Sequence, residues 1–183
     1  MIPDAYQFQE PERFTVGTVG EPGERTFFIQ IRKGSRLVSL SLEKSQVQAL
    51  AQRLEMMVRE IRQSDPTLII EKLPRDEAPL ESPIEEEFRI GVIGLAFDSQ
   101  SDLIQIDLQA VAENQGSEGS FIEIEAQENQ TEVVRILITP SEAARFSLRA
   151  QVVVAAGRAP CPFCGGPIDP RGHLCPRANG YRR

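Results

Sequence analysis

"FTVGTVG" at residues 14–20 and "FRIGVIG" at residues 88–94 decide how this chain is read. Both set Phe, Val or Ile against Gly or Thr in the period-two alternation of a half-buried strand. After the first copy comes "EPGER". Pro22 followed by Gly23 suits the two central positions of a type II turn, because Pro fixes φ and Gly accepts φ > 0. The chain returns as "TFFIQIRK", turns again at Gly34-Ser35 and runs on as the strand-like "RLVSLSL".

A helix is expected over roughly 43–62. Val47, Leu50, Ala51, Leu54, Val58 and Ile61 recur at helical spacing and form one apolar stripe, while Gln48, Gln52, Arg53, Glu55 and Arg59 cover the other face. The second signature opens a similar series, with strands expected at 88–98, 103–112, 120–127 and 132–138. Thr139-Pro140-Ser141-Glu142 then reads as a helix start: Thr139 at the N-cap, Pro140 at N1, and Glu142 completing a capping box. That helix stops at Gly157. The fold class expected is α+β: a duplicated unit of antiparallel strands closed by one helix, plus a C-terminal zinc-knuckle-like segment.

Charge divides the chain further. Residues 64–87 carry eight acids against two bases, a net −6 of the whole chain's −7, and four prolines. Such a stretch reads as a linker. Residues 157–183 carry five arginines against Asp169. The division expected is therefore a first strand-rich unit with helix over 1–63, an acidic Pro-rich linker over 64–87, a second unit over 88–157, and a metal-binding segment over 158–183. The N-terminal stretch has no basic and apolar signal pattern, and no apolar run approaches the ~18 residues of a membrane span. A cytoplasmic location is expected. The three cysteines, an odd number in a chain without an export signal, argue against a disulfide framework.

All three cysteines and the single histidine lie in "CPFCGGPIDPRGHLC", residues 161–175. Cys161 and Cys164 form a Cys-x-x-Cys pair, and His173 and Cys175 follow after a Pro- and Gly-rich return. Three thiolates and one imidazole complete a tetrahedral set for a structural Zn2+, with no position left for water or substrate. A redox pair at Cys161 and Cys164, three unrelated thiols, and a fourth ligand supplied by a neighbouring chain in place of His173 remain alternatives. Beyond the ligands, Arg177, Asn179, Tyr181, Arg182 and Arg183 combine basic groups with an aromatic ring and are the expected partner-binding residues.

Other features have plainer readings. Gly17, Gly20 and Gly23 have phosphate-loop spacing, but a strand follows them and not a helix, so turn and bulge roles are expected. Glu123 and Glu125 fall on one face of their expected strand, the usual pattern of a solvated sheet face. With its histidine committed to metal, the chain lacks the imidazole of a Ser-His-Asp or Cys-His arrangement.

The stretches 11–30 ("PERFTVGTVGEPGERTFFIQ"), 36–55 ("RLVSLSLEKSQVQALAQRLE") and 157–183 ("GRAPCPFCGGPIDPRGHLCPRANGYRR") resemble the bacterial family called domain of unknown function 3090. Segments near 88–98 and 132–156 fit it too. The resemblance implies a small cytosolic bacterial protein without an established activity. It also implies genes often found near those of a kinase-like protein and a phosphoglycerate-mutase-like phosphatase. The function expected is a non-enzymatic zinc-containing adaptor whose partner is a protein, such as the kinase-like neighbour. The alternatives are a hydrolase or transferase acting on a phosphorylated small molecule through arginine clamps, and a nucleic-acid-binding module built on the basic end.

Overall fold

The computed structural model describes residues 6–21, 23–111, 132–157, 161–165, 168 and 173–177. Among them are seven strands and two helices: β1 (Gln7–Gln9), β2 (Arg13–Val19), β3 (Thr26–Lys33), β4 (Arg36–Leu42), α1 (Lys44–Ser64), β5 (Glu86–Asp98), β6 (Leu103–Ala110), β7 (Val133–Ile138) and α2 (Pro140–Ala155). The expected strand at 120–127, with Glu123 and Glu125, lies outside the described residues.

The strands form one α+β sheet in the order β1-β7-β6-β5-β4-β3-β2. β2, β3 and β4 make one antiparallel meander, and β5, β6 and β7 make another. Two pairings are parallel: β4 with β5, and β1 with β7. Three strands followed by a helix thus occur twice in sequence, and this likeness of order is all that supports a duplication. The settings differ: β2 is an edge strand of seven residues, and β5 is an interior strand of thirteen.

Only Glu10, Pro11 and Glu12 separate β1 from β2, yet the two occupy opposite edges of the sheet. Extended, that link reaches about 14 Å. Seven flat strands would hold the edges about 29 Å apart. The sheet therefore folds over on itself. Its bend lies between β4 and β5, which share only the pairs Ser39↔Glu86 and Ser41↔Arg89 with an irregularity between them. Contacts across the closed side agree with this: Arg36 lies 4.8 Å over the Phe8 ring, and Tyr6 donates to Glu87 at 2.7 Å.

The concave side holds the core. α1 buries the expected stripe of Val47, Leu50, Ala51, Leu54, Val58 and Ile61, with Met57 added. Gln46 accepts from the Glu43 N–H at 2.8 Å, and its amide donates to the Ile90 carbonyl at 3.1 Å, tying the start of α1 to β5. α2 starts as expected, with Thr139 Oγ1 accepting from the Glu142 N–H at 3.2 Å. The two helices pack against each other through small residues: the buried Ser147 hydroxyl donates to the Ala51 carbonyl at 2.7 Å. Phe146 stacks on Phe14 of β2 with centroids 4.3 Å apart, an arrangement worth about 1 kcal/mol beyond the area it buries.

The acidic stretch has no helix or strand over 65–85, but it is pinned to the body throughout. The Glu71 N–H donates to Ser141 Oγ at 2.9 Å, at the start of α2. Asp76 receives a two-pronged ion pair from Arg13, both bonds 3.0 Å, and lies 3.3 Å from Arg149 Nη1. Arg149 also donates to the carbonyls of Val16, Asp76 and Ala78. The buried Gln30 holds Glu81 by its backbone, donating to its carbonyl at 2.9 Å and accepting from its N–H at 2.8 Å. The stretch is a strap over the reverse face of β2 and β3, and it explains why polar Gln30 of β3 is buried there. Arg149 at the same time caps the open edge of β2, the part of a sheet most exposed to unwanted pairing. Burial raises the Asp76 carboxyl, but hydrogen bonds from Arg13 and the charges of both arginines outweigh it and hold it below the usual carboxylate range.

One glycine of the first signature, Gly17, serves this docking. A Cβ on Gly17 would sit 2.6 Å from Leu80 Cγ of the strap, so the strand must be bare there. Gly20 and Gly23 take φ of +99° and +111°, as turn residues. No helix is long and apolar enough to cross a membrane among the described residues.

Candidate metal centre

α2 ends at Ala155, and its C-terminal turn is held by Arg25. Arg25 Nη1 donates to the Ala156 carbonyl at 2.7 Å, and a Cβ on Gly157 would lie 3.4 Å from Lys44 Nζ. Cys161 follows four positions later.

The segment from Cys161 to Gly165 is a tight turn, closed by the Gly165 N–H donating to the Cys161 carbonyl at 2.8 Å. Gly165 takes φ +74°, where a side chain would be strained. The turn places both thiols of the Cys-x-x-Cys pair on one side. It also aims the N–H groups of Cys164 and then Phe163 at the Cys161 sulfur. Those donors favour the thiolate and bring the Cys161 pKa down to about 6.

The structure brings together all four residues singled out by spacing. The ligand atoms of Cys161, Cys164, His173 and Cys175 lie within 4.8 Å of one another. Cys161 Sγ and Cys175 Sγ are 3.7 Å apart, and Cys164 Sγ lies 3.1 Å from His173 Nε2. A disulfide needs ~2.05 Å, so no disulfide joins these cysteines. A tetrahedral ion with bonds of ~2.3 Å to sulfur needs an S···S edge of about 3.8 Å. The first separation therefore suits a shared metal ion, and the sulfur–nitrogen edge would open slightly around one. Cys161 and Cys175 are each only 5% exposed, so an ion held between them would be shielded from water on that side. The residues fit a bound metal ion.

Of the residues expected to bind a partner, Arg177 is described. Its guanidinium donates to the Phe163 carbonyl at 3.2 Å, joining the stretch after the last ligand to the first turn. Asn179, Tyr181, Arg182 and Arg183 lie outside the described residues. The spacing gave no hint of Phe163 and Leu174. Both stand beside ligands, and they are 64% and 87% exposed.

The chain belongs to the family described as Protein of unknown function (DUF3090), which it matches over residues 6–175. No curated protein and no solved structure matches it.

Proposed function

We propose that this protein is a zinc-containing adaptor of the bacterial cytoplasm and not an enzyme. The observation that supports it most is the closed Cys₃His quartet. Four protein donors fill a tetrahedron, so a zinc ion held by Cys161, Cys164, His173 and Cys175 has no open position for water or substrate. When bound, the ion would supply folding energy to a Pro- and Gly-rich segment with little apolar content of its own. Zinc is favoured over other metals by the thiolate and imidazole donors.

In this reading the metal fixes the direction in which the chain leaves Cys175. Arg177, Asn179, Tyr181, Arg182 and Arg183 then form the partner-binding end, with Phe163 and Leu174 as apolar contacts beside it. The partner is a protein with an acidic surface, for which the kinase-like neighbour is the first choice. Arg13, Arg149 and Arg135 lend the competing arginine-clamp enzyme no support, because guanidinium groups committed to Asp76 and Asp107 are not available to a phosphate.

The test is affinity capture from the native cell with the wild type and Cys175→Ser side by side. A partner enriched by the wild type and lost by the variant supports the adaptor. Identical captures from both would exclude the metal-dependent surface.

A further inference from the structure

The two helices present different outer faces. α1 exposes Gln48, Gln52, Arg53, Glu55 and Arg59, with Met56 its one large exposed apolar side chain. α2 instead exposes Leu148 at 46% and Val152 at 62%, one turn apart. Val is a weak helix former, so Val152 and Val153 cost this helix end some intrinsic stability. An outer face of Leu and Val gains nothing in return if it only meets water.

It also lines a hollow beside the strap. The strap runs beside α2, tied at Glu71 to Ser141 and at Asp76 to Arg149. Between the ties it leaves a cavity of about 610 Å³, with Leu73 on the strap wall and Leu148, Val152 and Val153 on the helix wall. That volume lies in the range of small-molecule sites, about 300–1,000 Å³.

The charges around it are uneven. Asp76 and Arg149 line the cavity but satisfy each other. Arg145 has a single longer ion pair, 3.7 Å to Glu142. Arg75 makes no hydrogen bond or ion pair with the described residues. Among the described residues, Glu77 is the only acid on the lining besides the neutralised Asp76. Two guanidinium groups with capacity to spare therefore stand beside an apolar floor.

The geometry points to a binding site here for a small amphipathic anion, a phosphate or carboxylate group carried on an apolar body. The head is held by Arg75 and Arg145, and the body covers Leu148 and Val152. The site is separate from the metal quartet and does not depend on the adaptor reading.

Octyl phosphate, used below its micelle concentration, is the probe. Inorganic phosphate and octanol stand for its two halves. Calorimetry on the full-length protein should show saturable one-to-one binding of octyl phosphate, at least about tenfold tighter than either half. Amide NMR shifts should fall on the strap and on 145–155. Arg75→Gln with Arg145→Gln should weaken binding about tenfold, and Leu148→Gln with Val152→Gln should abolish it. Gln is a good helix former, and these positions are exposed or half-exposed, so circular dichroism should show all variants folded. Absence of saturable binding, or binding that both variant pairs leave unchanged, overturns the proposal. So does binding of octanol as tight as that of octyl phosphate, which would reduce the site to a nonspecific apolar groove.

Discussion

Replacing Asp76 by Ala should show what the strap contributes. Arg13, Asp76 and Arg149 expose only 14%, 15% and 11% of their side chains. Removing the carboxylate leaves two largely buried guanidinium groups side by side, Arg149 with no acidic partner and Arg13 with only Glu81, 3.3 Å away. Breaking a buried pair from one side costs about 3–5 kcal/mol, and the residual exposure here lowers that to about 3 kcal/mol. In a chain of this size that is a fall of about 6–12 °C in melting temperature. The pH dependence has a fixed sign. The native Asp76 pKa is depressed, so its stabilisation is fully present above the unfolded value of ~3.9 and is lost as pH falls below that through the native value. The wild type should therefore lose stability steeply in acid, and Asp76→Ala should lack that part of the slope. Urea unfolding of both proteins at neutral and acid pH measures this. Combining Asp76→Ala with Arg149→Met should cost less than the sum of the single changes, because the uncompensated charge is gone. A loss of under about 0.5 kcal/mol for Asp76→Ala, typical of a solvated pair, would refute the strap as a structural tie.

Three further changes probe the same account. Gly17→Ala should destabilise the protein by about 1–3 kcal/mol through collision with Leu80, and Leu80→Ala in the same chain should recover most of the collision's share; urea midpoints report both. Gln30→Leu should leave both backbone groups of Glu81 unpartnered at a cost of about 1–3 kcal/mol, seen as faster hydrogen exchange at the Glu81 amide. Thr139→Ala should remove the cap of α2 and about 1 kcal/mol, seen as a lower melting temperature with unchanged helix content.

Where one physical signal governed, the sequence was legible. The stripe of α1 is a period, the start of α2 is a capping box, and the ligand quartet is a spacing; each depends on residues near one another in the chain. The three-residue β1 carries no period, and its parallel partner β7 lies more than a hundred residues away, so nothing local announces it. The strap was harder still. Its acids and prolines read as a solvated linker, and its role appears only when Asp76 meets Arg13 and Arg149 across the fold. Gly17 held the one available clue: a strand glycine can mark the close approach of another segment, here Leu80. The cavity beside α2 went unread because an exposed Leu and a run of Val look the same whether they face a core or a ligand.

Metal content tests the central claim most directly. Native mass spectrometry of the purified chain, with total metal measured on the same sample, should find one zinc ion per chain. Cys175→Ser should lose it, and a strong chelator should strip it while the body keeps its circular dichroism. A chain that is metal-free as purified, takes up no zinc when it is offered, and reacts at all three thiols while 161–175 stays protected from hydrogen exchange would contradict the account.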